Sequence, residues 1–181
     1  MPFTFIQSEL PGIVIIEPKI FFDERGFFYE SYKYSDFSKN GIDVNFVQDN
    51  HSLSSKGVLR GMHFQMNPRA QGKLVRVIKG IILDVVIDIR SNSDFFKNWF
   101  SIELSDENRK MLYIPPGFAH GFLTITDDVH LVYKCTEEYF PEYDAGIRWD
   151  DPDINIRWPI KKPIVSDKDK ELPFLKNINI F

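Results

Sequence analysis

Two histidines stand where an imidazole could do chemistry. His63 is the lone imidazole in the largely apolar run Leu59-Arg60-Gly61-Met62-His63-Phe64-Gln65. His120 follows the turn Pro115-Pro116-Gly117, which delivers it onto the start of a strand. A neutral imidazole is a base matched to neutral pH. Taken alone, His63 reads better as a core histidine with its hydrogen bonds satisfied. Tyr133 and Lys73 could act with these rings, and both, like Asp169, have an ordinary structural reading. Tyr133 could be a core tyrosine. Lys73 could be a strand-end lysine whose head reaches solvent. Asp169 could be a helix cap or a surface acid in a Lys/Asp run.

The elements that must position these side chains read as β. Runs rich in Val, Ile, Phe and Tyr occur at Ile13–Ile16, Gly26–Tyr32, Asn45–Asp49, Lys73–Lys79, Ile81–Arg90, Phe100–Leu104, Met111–Ile114, Gly121–Ile125 and Val129–Thr136. Lys79-Gly80 reads as a tight turn. Ser91-Asn92-Ser93-Asp94 and Ser105-Asp106-Glu107-Asn108 read as loops. Tyr34–Asn40, stopped by Gly41, is a short helix, and Lys168–Phe174 holds another helical turn. Many short strands at close spacing predict an all-β sandwich or barrel with a few short helices.

Strand alternation sorts the side chains. Val129, Leu131, Tyr133 and Cys135 share one face, so Tyr133 points inward. Lys73 shares a face with Val75 and Val77, and Asp84 with Val86 and Asp88. An ammonium aimed at the interior is costly unless an anion or a polar cavity waits there. Inward base and inward acid on neighbouring strands predict a polar cavity.

Bulk properties narrow the field. The chain has 181 residues, of which 17 are Phe, enough for one domain, residues 1–181, with a substantial core. The formal net charge of −4 argues against a general nucleic-acid surface. Cys135 is the single cysteine, which excludes an internal disulfide and a multi-thiolate zinc site and fits a reducing cytoplasm. Met1-Pro2-Phe3-Thr4-Phe5-Ile6 lacks the basic region and apolar core of a signal peptide. The apolar run around Ile81-Ile82-Leu83 is broken by Asp84 and Asp88, so no membrane span is expected.

The Pro-x-Gly-x-x-His pattern ending at His120 resembles the second signature of cupin jelly-roll barrels. Many cupins hold a metal with this His and a His-x-His and Glu from their first signature. Here that stretch offers His63 alone, with Met62 before it and Gln65 after it, so no catalytic metal is expected.

Six segments then resemble, in order, those of the dTDP-4-dehydrorhamnose 3,5-epimerase family. They are Phe22-Asp23-Glu24-Arg25-Gly26-Phe27-Phe28-Tyr29-Glu30, Phe46-Val47-Gln48-Asp49-Asn50-His51-Ser52, Leu59–Gln65, Gln71-Gly72-Lys73-Leu74-Val75-Arg76, Pro116–Phe122 and Tyr133-Lys134-Cys135-Thr136. The resemblance covers nearly the whole chain. It implies a cupin-like jelly roll and a cofactor-independent epimerase acting beside the C4 ketone of a nucleotide-linked sugar.

By that resemblance His63 removes the proton and Asp169 orients its ring. Lys73 stabilises the enolate oxygen, and Tyr133 returns a proton from the opposite face. His120 with Asp84 resembles a second His–Asp pair, assigned to substrate binding and electrostatics. Arg25 and Arg60 resemble diphosphate contacts, and Gln48 and Asn50 resemble contacts to the nucleotide sugar. Glu30 resembles a base or ribose contact, and Tyr139 the ring that stacks on the pyrimidine. Asp144 stands where a longer Glu is expected. Outside the family, Arg25 and Glu30 would read as ordinary surface charges. The resemblance also implies a strand-exchanged homodimer, in which the N-terminal region reaches the partner. The rival readings are an epimerase acting at C3 only or on another nucleotide sugar, a non-catalytic sugar-nucleotide-binding jelly roll, and a metal-dependent cupin.

Overall fold

The computed structural model describes residues 2–178. Its strands, in chain order, are β1 (Phe3–Gln7), β2 (Val14–Pro18), β3 (Phe21–Asp23), β4 (Gly26–Phe28), β5 (Gln48–Ser54), β6 (Val58–Gln65), β7 (Lys73–Lys79), β8 (Ile81–Asp88), β9 (Trp99–Ser105), β10 (Met111–Ile114), β11 (Phe118–Thr124), β12 (Val129–Cys135), β13 (Asp144–Gly146) and β14 (Ile164–Val165). Two short helices, α1 (Tyr34–Lys39) and α2 (Asp167–Lys170), complete the regular structure with two 3-10 turns. No helix among the described residues is long and apolar enough to cross a membrane.

Two six-stranded sheets form the body. One runs β1-β2-β10-β7-β12-β5; the other runs β13-β6-β11-β8-β9, with β14 joining β6 in parallel. Strands adjacent in sequence repeatedly switch sheets, and the result is a cupin-like jelly roll. β3 and β4 stand apart as their own two-stranded hairpin.

The β7–β8 connection corrects one expectation. Gly80 does turn the chain, at φ 87, but it turns a corner between sheets and does not close a hairpin. β7 pairs with β10 and β12, while β8 pairs with β11 and β9. Lys73 and Asp84 therefore lie on facing sheets, not on paired strands. A Cβ on Gly80 would sit 2.7 Å from Thr126 Oγ1, whose hydroxyl accepts from the Ile81 N–H. That corner accommodates little beyond glycine.

Three apolar clusters hold the fold. Between the sheets lie Val75, Val77, Ile82, Val86, Leu104, Leu112, Phe118, Phe122 and Leu131. On the outer face of the second sheet, Met62, Phe64, Val85, Ile87 and Ala119 are covered by Ile147, Ile154 and Leu175 from the C-terminal segment. On the outer face of the first, Leu74, Met111 and Tyr113 are covered by Phe37 of α1 and by Ile42. Both faces of β8 are thus buried, which is why its sequence reads as a nearly continuous apolar run. Burying a Phe37-sized side chain contributes roughly 1.5–3 kcal/mol.

Four strand readings shift. Asn45–Asp49 is replaced by Gln48–Ser54, a polar edge strand. Val58–Gln65 and Phe3–Gln7 are strands that the apolar-run reading does not mark. Gly26–Tyr32 shortens to Gly26–Phe28, because it belongs to the isolated hairpin and has no sheet to extend along.

Candidate active site

Strand β6 owes its usefulness to a bulge. His63 pairs with His120 of β11, and Arg60 pairs with Phe122, so Gly61 and Met62 together oppose the single Gly121. Without the extra residue, Arg60 and His63 would point to opposite faces. With it, both line the same cavity while Met62 and Phe64 join the outer apolar cluster. The bulge needs glycine on both strands. Gly61 adopts φ 134, and a Cβ there would lie 2.5 Å from Gly121 Cα.

The cavity lies between the sheets and measures about 440 Å³. The first sheet supplies Ser52, Lys73 and Tyr133, and the second supplies Arg60, His63, His120 and Phe122. β14 and α2 close one side with Ile164, Ser166 and Asp169. A second arm of about 300 Å³ shares His63, Lys73 and Tyr133 with the first. It continues past Gln48, Asn50, Tyr139, Asp144 and Lys168. The three shared residues mark where the arms meet.

His63 Nε2 lies 2.9 Å from Asp169 Oδ1. The other carboxylate oxygen accepts from the Gly61 N–H at 3.2 Å, a donor that the bulge turns toward α2. Asp169 itself is held by the cap at the start of α2, where its N–H donates to Ser166 Oγ. Burial alone would raise the Asp169 pKa. The hydrogen bond and charge of His63, with the Gly61 and Ser166 contacts, outweigh burial and leave it below the usual carboxylate range. An ionised Asp169 accepts the Nε2 proton and leaves the lone pair on Nδ1.

The second pair sits alongside. His120 Nε2 lies 2.8 Å from Asp84 Oδ2, and Asp84 is fully buried. Asp84 Oδ1 has no hydrogen-bond partner among the described residues.

Lys73 faces inward from β7 beside Val75 and Val77, as its alternation predicts. Desolvation lowers its pKa, while Cys135, Asp144 and Asp84 pull it back up. No described side chain forms an ion pair with its ammonium, which suits a group whose partner is a ligand oxygen. Tyr133 projects from β12 on the same sheet. Burial and Cys135 raise its phenol pKa, with Arg60 opposing, so it carries its proton at neutral pH.

In the second arm, a chain of hydrogen bonds orders the polar groups. The Tyr139 N–H donates to Gln48 Oε1 at 2.8 Å. Gln48 Nε2 donates to Asn50 Oδ1 at 3.1 Å, and Asn50 Nδ2 donates to Cys135 Sγ at 3.4 Å. Asp144 Oδ2 accepts from the Tyr139 hydroxyl at 3.2 Å and from Lys168 Nζ at 2.5 Å. Arg60 is already braced in the first arm, its Nε donating to Ser54 Oγ at 3.1 Å.

The structure thus gathers His63, Asp169, Lys73, Tyr133, His120, Asp84, Arg60, Gln48, Asn50, Tyr139 and Asp144 around one branched space. It does not bring Arg25 or Glu30 there. Arg25 sits at the tip of the β3–β4 hairpin, bonded to Asp23 and exposed. Glu30 follows that hairpin and lines neither arm.

Two residues escape the sequence reading. Ser52 Oγ is buried against the cavity with no hydrogen-bond partner among the described residues. Extending the alternation of Gln48 and Asn50 by one step would have found it. Lys168 gives no such signal, since it lies in a run that reads as a solvated surface.

Gln65 explains how this chain uses a position near a cupin ligand site. Its Nε2 donates to the Arg69 and Glu138 carbonyls, and its Oε1 accepts from the Phe140 N–H. The Glu138 and Phe140 bonds fasten the loop carrying Tyr139, and the Arg69 bond holds the turn that follows β6. Among the described residues, no three His, Cys, Asp or Glu side chains group to hold a metal ion.

Comparison with known proteins gives a consistent result. Residues 7–177 match the family model described as dTDP-4-dehydrorhamnose 3,5-epimerase. The enzyme of that name from Methanothermobacter thermautotrophicus is 54% identical over 93% of this chain and 92% of its own. The solved dTDP-6-deoxy-D-glucose-3,5-epimerase of Legionella pneumophila, in complex with dTDP-4-keto-L-rhamnose, superposes with a TM-score of 0.94 at 44% identity. That match covers 98% of this chain and 95% of the other. The Sulfolobus tokodaii dTDP-4-dehydrorhamnose 3,5-epimerase superposes at 0.93 with 46% identity, covering 100% and 99%. On the strength of the motif order, the jelly roll and these matches, the chain belongs to the dTDP-4-dehydrorhamnose 3,5-epimerase family.

Proposed function

We propose that this protein is a cofactor-independent isomerase that converts dTDP-4-dehydro-6-deoxy-D-glucose to dTDP-4-dehydro-L-rhamnose, inverting C3 and C5 for cell-surface polysaccharide synthesis. One observation carries the reading: His63, backed by Asp169, and Tyr133 come from opposite sheets onto one cavity. Inversion needs a group that takes a proton on one face and a group that returns one on the other.

The chemistry follows from the C4 ketone, which acidifies the protons on C3 and C5. His63 Nδ1 takes a proton and the electron pair moves onto the ketone oxygen as an enolate. Lys73, an ammonium with no side-chain counterion among the described residues, stabilises that oxygen from its buried position. Asp169 balances the imidazolium as it forms. The enolate collapses as Tyr133, still protonated because burial holds its pKa up, delivers a proton to the other face. His120, held by Asp84, presents a fixed imidazole beside the base and contacts the sugar.

Arg60 meets the diphosphate, and Gln48, Asn50, Tyr139 and Asp144 hold the nucleotide in the second arm. Asp144 is already engaged by Lys168 and Tyr139, so a shorter acid there reaches the ligand through those neighbours. Residues 1–181 act as one catalytic domain in the cytoplasm, with Cys135 as a free, buried thiol. The working form is a homodimer in which the β3–β4 hairpin carries Arg25 and Glu30 to the partner's site. Four exposed aromatic rings on that hairpin support this, with Phe22 71% and Phe28 67% exposed. Light scattering that returned the mass of a single chain would remove the dimer from the reading.

Turnover in deuterated water tests the function. Label at both C3 and C5 with a rhamnose-configured product is the expected result. Label at C3 alone would assign the protein to a single-centre epimerase, and no label would leave a binding protein. Tyr133→Phe is expected to cut net epimerisation more than it cuts first proton removal.

A further inference from the structure

We infer that Lys168 is a positioning residue whose ion pair with Asp144 fixes α2, so that occupancy of the nucleotide arm sets the placement of Asp169 behind His63. This rests on the epimerase reading of the site and adds a coupling within it.

The geometry is local. Lys168 and Asp169 are consecutive on a helix of four residues. One residue step on a helix rotates the side chain by about 100°, so the two reach different walls. Asp169 goes to β6, where it meets His63 and the Gly61 N–H. Lys168 goes to β13, where Nζ meets Asp144 Oδ2 at 2.5 Å. A single helical turn has little stability of its own. α2 is held by its Ser166 cap, by β14 pairing with β6, and by these two side-chain anchors. The remaining ion pair, Lys170 with Asp167, lies within the turn and is exposed.

The Asp144 anchor is also a wall of the nucleotide arm. Its Oδ2 is shared with the hydroxyl of Tyr139, which is 51% exposed at the mouth. A nucleotide stacked on Tyr139 and bonded in this arm must meet, and redistribute, the Tyr139–Asp144–Lys168 contacts. The displacement passes through one peptide unit to Asp169. An imidazole whose orienting carboxylate shifts loses its tautomer and its aim together. By linkage, whatever the nucleotide does to the His63–Asp169 pair, that pair does to nucleotide affinity.

The test uses the whole protein, with dTDP as the probe and ring-nitrogen NMR signals of His63 as the readout. In the wild type, saturating dTDP is expected to move those signals although no sugar is present. Lys168→Met is expected to abolish the movement at saturating dTDP. It should lower kcat for deuterium wash-in by about tenfold, with a smaller change in KM. Lys168→Arg should restore both. Asp144→Asn breaks the same pair without touching α2 and should reproduce the loss. The inference is overturned if Lys168→Met raises KM, leaves kcat unchanged and keeps the dTDP-induced movement, since Lys168 would then be a binding contact only. The NMR measurement needs no turnover. A wild type without exchange would sink the epimerase reading while leaving the coupling measured.

Discussion

The pairs His63–Asp169 and His120–Asp84 are chemically alike and stand opposite each other on β6 and β11. Their surroundings differ. The His63 side chain is 33% exposed to the cavity, and both oxygens of its carboxylate are engaged. The His120 side chain is 8% exposed, its carboxylate is fully buried, and one oxygen of that carboxylate has no partner among the described residues. A base that must meet substrate and release a proton needs access and a satisfied partner. A ring that shapes the field needs only to be fixed close by. Access and completeness, not residue type, separate the two pairs and the roles proposed for them.

The largest break in this comparison should come from His63→Ala. Deuterium wash-in is expected to fall by on the order of 10³-fold, measured by mass spectrometry of recovered substrate. If His120→Ala caused an equal loss while His63→Ala did not, the roles would have to be exchanged.

Asp169→Asn comes next, with an expected loss of about 10²-fold in kcat, because an amide no longer selects the tautomer. It also carries a pH signature. The folded-state pKa of Asp169 lies below the unfolded value. Its contribution to stability is therefore present above the ordinary carboxylate range and is lost as pH falls through the depressed value. Urea midpoints measured across the acid range should fall less steeply for Asp169→Asn than for the wild type.

His120→Ala should have the smallest effect on chemistry, about tenfold in kcat, and a clear effect on folding. It strands the Asp84 carboxylate in the interior, a change that costs about 3 kcal/mol when a buried pair loses one partner. Chemical denaturation would reveal it. Little change in stability would mean that Asp84 is reached by water in the folded protein.

The sequence makes parts of this site legible for simple reasons. Val129–Thr136 alternates cleanly because one face of β12 meets the core, and Tyr133 does point inward. Lys73 obeys the same rule on β7. β6 is not marked as a strand because a bulge with two consecutive residues on one side breaks the period of two. β5 is misplaced because Gln48–Ser54 is a polar edge whose inward groups face a ligand cavity instead of apolar neighbours. Lys168 hides because a charged helical turn on the surface looks the same whether or not one of its charges anchors a wall.

By itself, the sequence determined the class of fold, the inward aim of Tyr133, Lys73 and Asp84, and, through ordered motifs, the family. Those properties follow from local periodicity and from residue types that few other arrangements share. Only the tertiary structure decided how each acid reaches its histidine. Asp169 reaches His63 across 106 positions, through a glycine bulge and a single helical turn. The two pairs also acquire their different surroundings there, because access and burial are set by which sheets, loops and helices close around each ring, and no short stretch of chain encodes that closure.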